Sequence, residues 1–68
     1  MMYGKVIEYD NYIGKIQDEY GKKYIFTNED LKTPNIKIGD YVRFNFDEYK
    51  TVEIKEYRAH FVSKISNS

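Results

Sequence analysis

Across residues 41–46 the chain alternates strictly, with Val42, Phe44 and Phe46 in one set and Tyr41, Arg43 and Asn45 in the other. Successive side chains of an extended strand point to opposite faces, so a period of two describes a strand with one face in an apolar core and the other in water. One such strand is unstable alone and needs neighbours that extend its apolar face. The sequence supplies candidates. Residues 3–9 and 12–18 are rich in β-branched and aromatic side chains and are divided by Asp10-Asn11, a pair that tolerates the left-handed backbone of a tight hairpin turn. A second connection at Glu19-Tyr20-Gly21-Lys22, with Gly21 supplying a positive φ, leads into residues 23–27. Three strands joined by short turns form a meander.

After the meander, Asn28-Glu29-Asp30-Leu31 reads as a single helical turn capped by Asn28. Residues 32–37, which hold the only proline, read as a loop, and Ile38-Gly39-Asp40 turns the chain into the alternating strand. Residues 51–65 carry two patterns. Val52 and Ile54 alternate with charges as in a strand, whereas Ile54, Tyr57, Phe61 and Ile65 recur at helical spacing. The strand reading is preferred, with the helix as the alternative. Ser66-Asn67-Ser68 reads as a frayed end. The expected fold is all-β: one domain over residues 3–65, a small five-stranded antiparallel barrel with one short helical turn between strands 3 and 4.

A 68-residue chain has room for one modest core. It has no cysteine and one histidine, His60, so disulfides and Cys/His zinc sites cannot brace it, and no metal or cofactor is expected. Packing must come largely from eight tyrosines and four phenylalanines. Tyr24, Phe26, Phe44 and Phe46 are the expected aromatic core. Asp47-Glu48 reads as a turn pair with no nucleophile or base nearby, and His60 reads as structural or surface, so no enzymatic activity is expected. Eleven basic residues balance eleven acidic ones, which removes the global positive charge that draws a protein onto phosphates and leaves only local patches. The start lacks the apolar run of a signal peptide and no stretch matches a membrane span, which leads to the expectation of a cytoplasmic protein without a membrane partner. Its richness in Lys, Ile, Asn and Tyr suits an AT-rich bacterial genome.

Three strands, a long connection and two more strands is the order of an oligonucleotide-binding barrel. Gly4-Lys5-Val6 with Tyr9-Asp10, Gly14-Lys15-Ile16, Tyr24-Ile25-Phe26-Thr27, Ile38-Gly39-Asp40-Tyr41-Val42-Arg43-Phe44, and Ala59 with Val62 together resemble the bacterial cold-shock domain. The resemblance implies a barrel that binds single-stranded RNA or DNA by stacking bases on rings of its first three strands, while lysines follow the phosphates. Aligned on those motifs, the family's ring positions fall at Glu8, Ile13, Lys15, Ile25, Thr27 and Asn28, and only Tyr9 keeps a ring. The first hairpin is shorter than the family's, which puts Tyr12 within reach of a stacking position.

Two partners follow. Weak single-stranded nucleic-acid binding would use Tyr9, Tyr12, Lys5, Lys15, Lys22 and Lys23. The alternative is a protein partner or self-association on the rebuilt face, with Ile13 and Ile25 as an aliphatic patch and Glu8 with Lys15 as its charged rim.

Overall fold

A computed structural model of the chain describes residues 1–53 and 55–65, so the expectations for Ile54 and for the end Ser66-Asn67-Ser68 lie outside the described residues. Five strands form: β1 (Met2–Tyr9), β2 (Ile13–Asp18), β3 (Lys23–Thr27), β4 (Tyr41–Lys50) and β5 (Lys55–Lys64), with a 3-10 turn at Asn28–Asp30. They close into a barrel in the order β1-β2-β3-β5-β4. A ring with an odd number of strands cannot be antiparallel at every seam. The parallel seam here is β3 against β5, where Ile25 pairs with Arg58, and every other pair is antiparallel. This is the strand arrangement of an oligonucleotide-binding barrel.

The core is the inward set of each strand: Val6, Ile16, Tyr24, Phe26, Val42, Phe44, Ala59 and Val62, plugged from the long loop by Ile36. The expected burial of Tyr24, Phe26 and Phe44 holds. Phe46 departs from it, with 45 % of its surface exposed. β4 runs on past the barrel to Lys50, so Phe46 stands at the rim, its ring 5.7 Å from that of Tyr24. For the same reason Asp47 and Glu48 are strand residues rather than a turn, paired with Arg58 and Tyr57. Residues 55–64 resolve the C-terminal ambiguity in favour of a strand.

Asn11 at φ 76° and Gly21 at φ 87° make the two hairpin turns as expected. Asp10 fixes the first, accepting the N–H groups of Tyr12 and Ile13 at 2.9 Å each, and these bonds hold its carboxyl below the usual range. The 3-10 turn is capped by Thr27 rather than Asn28. The Thr27 N–H and hydroxyl both donate to Asp30 Oδ2, at 2.8 and 3.2 Å, which frees the Asn28 side chain for the first hairpin. There its amide donates to the Asn11 carbonyl and accepts the Tyr9 hydroxyl.

Two bulges shape the surface. In β1 the register slips between Val6 and Glu8, so that Glu8 stands opposite Lys15 and Tyr9 opposite Gly14. An extra residue reverses the in-out alternation beyond it, which turns Glu8 outward and brings the Tyr9 ring within 5.4 Å of Phe26. Gly14 makes room: a Cβ there would lie 2.5 Å from the Glu8 carbonyl oxygen and 2.5 Å from Phe26 Cζ. Gly14→Ala is therefore expected to cost about 2–3 kcal/mol, the upper part of the range for overpacking, read as a lower urea midpoint at unchanged slope. In β5 the register slips opposite Arg43 and Asn45, and Phe61 sits there at φ 55° with 57 % of its surface exposed. A left-handed conformation costs a non-glycine residue about 1–2 kcal/mol.

Candidate nucleic-acid interface

Register determines what the outside of the sheet presents. Inward Val6, Ile16, Tyr24, Val42 and Ala59 leave their strand neighbours facing out. The paired positions then form two adjacent rows across the barrel: Tyr41, Lys5, Gln17 and Lys23, then Glu8, Lys15, Ile25 and Arg58. These rows hold Lys5, Lys15, Lys23 and Arg58; Glu8 is the carboxylate beside the lysines, and Arg58 at the far end meets Asp47, its partner on β4, and Asp30.

The cations differ in their surroundings. Lys15 Nζ lies 3.6 Å from Glu8, both side chains well exposed, a geometry that contributes little to stability. The Lys5 ammonium lies 5.7 Å from the centre of the Tyr41 ring. Lys23 has no ion-pair partner among the described residues. Arg58 reaches Asp30 Oδ2 at 3.8 Å, within a cluster in which His60 Nδ1 is hydrogen-bonded to Asp30 at 2.8 Å and its Nε2 lies 3.1 Å from Asp47 without a hydrogen bond. Burial pushes the Asp30 carboxyl up, but the bonds from Thr27 and His60 outweigh it and hold it below its ordinary value.

Lys22 stands apart from the rows. It belongs to the second hairpin turn, and its ammonium lies 4.2 Å from the centre of the Tyr57 ring at the barrel rim. Lys55 approaches the other side of that rim, 5.5 Å from the same ring and 3.6 Å from Glu48. Lys15, Lys23, Ile25 and Lys55 surround one shallow depression.

The two tyrosines do not form a stacking pair. Tyr9 is half-buried against Phe26 with its hydroxyl held by Asn28, whereas Tyr12 is 76 % exposed in the turn. Ile13 and Ile25 do come together. With Ile38 of the long loop and the Glu8-Lys15 pair they line a hollow of about 330 Å³ whose wall includes Tyr9. Ile38 was missed because nothing near it in sequence ties the loop to this face. Arg58 was missed because only the parallel seam brings it beside Ile25, and Lys55 because the length of the β4-β5 hairpin was not legible.

A scan against protein-family models returns no match, and a search of curated proteins returns no relative.

Proposed function

We propose that this barrel binds single-stranded nucleic acid weakly, through phosphate contacts more than through ring stacking, as a divergent relative of the cold-shock domain. The observation that carries the reading is the pair of outward rows that bring Lys5, Lys15 and Lys23 together beside one carboxylate, Glu8, with Arg58 at the edge where Asp30 and Asp47 partly neutralise it. The face of strands 2 and 3 is also the one on which barrels of this topology hold oligonucleotides, an argument by analogy of fold. Phosphates tracking such a face release counterions, so affinity falls with salt.

Binding of labelled oligo-dT or oligo-U is expected to saturate at low salt. Engaging three to four cations gives a log-log salt slope of about −2 to −3 at about 0.7 per contact on a single strand. Replacing Lys5, Lys15 and Lys23 together by glutamine is expected to bring the slope to between zero and about −0.7, the one contact that Arg58 can keep. Saturable binding that is indifferent to salt, or that survives the triple substitution, would sink the reading.

The hollow of Ile13, Ile25 and Ile38 favours a second reading, contact with another protein chain. Ile13 and Ile38 expose 51 % and 60 % of their surface, and contiguous aliphatic exposure on a small domain marks a contact surface once it exceeds a few hundred Å². In its self-association form this predicts a concentration-dependent sedimentation coefficient that Ile13→Lys abolishes. A strictly monomeric species at millimolar protein would remove it.

A further inference from the structure

Beyond Arg58 the outer surface dips into a groove of about 440 Å³ between β4, β5 and the 3-10 turn, lined by Glu29, Asn45, Asp47, Tyr49, His60 and Phe61 among others. Three observations set it apart from an ordinary crease. Its two exposed rings, Tyr49 and Phe61, are 51 % and 57 % exposed. Phe61 is held there at φ 55°, a conformation that glycine takes freely and a phenylalanine resists, with the ring left in water instead of the core. Strained residues of this kind concentrate where a side chain is being aimed. Each ring also has a cation over one face, which leaves the other: Lys32 Nζ is 4.9 Å from the centre of Phe61, and the Arg58 guanidinium is 5.9 Å from that of Tyr49.

Aromatic faces flanked by cations suit a stacked base with its phosphate nearby. The groove's hydrogen-bonding groups then narrow the base. The Glu29 carboxylate and the Asn45 amide have no hydrogen-bond or ion-pair partner among the described residues. One oxygen of the Asp47 carboxylate lies 3.1 Å from His60 Nε2 without the geometry of a hydrogen bond, and Nε2 is buried without a hydrogen-bond partner among the described residues. The Glu29 and Asp47 carboxylates thus face the groove as acceptors, beside donors on Lys32, Asn45 and His60. A base that presents an exocyclic amino group satisfies carboxylate acceptors, whereas the carbonyls of uracil and thymine would face them.

We propose that the groove between β4, β5 and the 3-10 turn holds one unpaired nucleobase bearing an exocyclic amino group, cytosine, adenine or guanine, stacked on Phe61. This rests on the nucleic-acid reading of the neighbouring basic rows and adds a base preference to it. Free nucleotides and nucleotides within a strand share the chemistry, and the two are separated by testing both.

The test is an amide chemical-shift titration of the full chain with CMP, AMP, GMP and UMP, then with oligo-C and oligo-U at low salt. The expected result is shifts at Asn45, His60 and Phe61 with the amino-bearing nucleotides, and an oligo-C affinity about tenfold above that for oligo-U. Phe61→Gly removes the ring together with its backbone strain, so the variant is expected to fold at least as stably as the parent while losing both the shifts and the tenfold preference. If oligo-C saturates but a mononucleotide does not, the base is held as part of a strand. Equal response to UMP, shifts that persist in Phe61→Gly, or an arginine-rich peptide that moves these amides when nucleotides do not, would overturn the proposal. Shifts confined to Lys5, Lys15 and Lys23 would overturn it and leave the basic-face reading standing. No response to any oligonucleotide would remove both.

Discussion

Phe26→Ala is expected to leave the domain largely unfolded at 25 °C, with no cooperative urea transition in far-UV circular dichroism. Phe26 has no exposed surface, its ring packs against that of Tyr9, and it fills the space that Gly14 leaves open. Truncating a buried phenylalanine costs about 3–5 kcal/mol, because the transfer energy is lost and the cavity only partly collapses. A core of this size seldom supplies more than about 3–5 kcal/mol in total. The two figures are equal, so one substitution consumes the stability. Phe46→Ala is the control. Its ring is 45 % exposed at the rim, and the variant is expected to keep a cooperative transition, losing about 1 kcal/mol in proportion to the smaller apolar area it removes from burial. Equal losses at the two positions would contradict this division between core and rim.

The same pair shows what could be read from the sequence. Alternation across residues 41–46 gave the right strand and the right parity, and Phe44 is in the core for the reason its period suggests. Parity does not say where a barrel ends, and Phe46, on the inward side, has run out of opposing strands. The turns were legible because their chemistry is local: Asn11 and Gly21 have the positive φ their residue types favour. Phe61 could not be read that way, since its left-handed backbone runs against its residue type and follows from a register shift that pairing with β4 imposes.

The candidate interface was legible only in part. Lys5, Lys15 and Lys23 share a face because the hairpins fix their parity within a few residues. Arg58 joins them across a parallel seam 33 positions from Ile25 in sequence, which no local pattern encodes. Tyr9 is the instructive case. Continuous alternation from Val6 would give Glu8 the inward side, and one extra residue in β1 exchanges Glu8 with Tyr9. The exchange puts the Tyr9 ring against the core and a carboxylate on the outer face of the first three strands. Bulges depend on what the partner strand can accommodate, here Gly14, and so lie beyond a reading of β1 alone.

Asp18→Ala is expected to cost about 3 kcal/mol and to remove part of the protein's acid sensitivity. Asp18 is a buried carboxylate, 8 % exposed, at the end of β2. Its Oδ1 accepts the N–H groups of Tyr20 and Lys22, at 2.9 and 3.0 Å, and its Oδ2 accepts the Tyr24 hydroxyl at 2.9 Å. One side chain therefore holds both the second hairpin and the polar tip of a core tyrosine. Removing it strands a buried hydroxyl, a loss of about 1–3 kcal/mol, and gives up bonds to a charged acceptor worth about 1.5–3 kcal/mol before water replaces some of them. Adding Tyr24→Phe to Asp18→Ala removes the stranded hydroxyl and is expected to recover about 1 kcal/mol, whereas an unchanged or larger loss would mean that the hydroxyl is not the liability. The pH dependence has two limbs. Burial pushes the Asp18 carboxyl up, but the Tyr24 hydroxyl and the Lys22 and Tyr20 amides outweigh it and hold it below its ordinary value. A folded carboxyl that releases its proton more readily than the unfolded one stabilises the fold fully above the unfolded value, near pH 4, and the gain disappears as pH falls through the lower folded value. Burial and the Asp18 carboxylate push Tyr24 the other way, up to about 12. Its contribution is complete below the unfolded value near pH 10 and is lost as pH rises towards 12. Urea midpoints are thus expected to be level between about pH 5 and 9 and to fall on both sides. Tyr24→Phe should flatten the alkaline limb only in part, because Tyr20 and Lys55 also titrate high in the folded protein. Asp18→Asn should flatten the acid limb only in part, because Asp10 and Asp30 also titrate low in the folded protein, and an acid limb that Asp18→Asn leaves unaltered would show that this carboxylate is not held in the way its hydrogen bonds require.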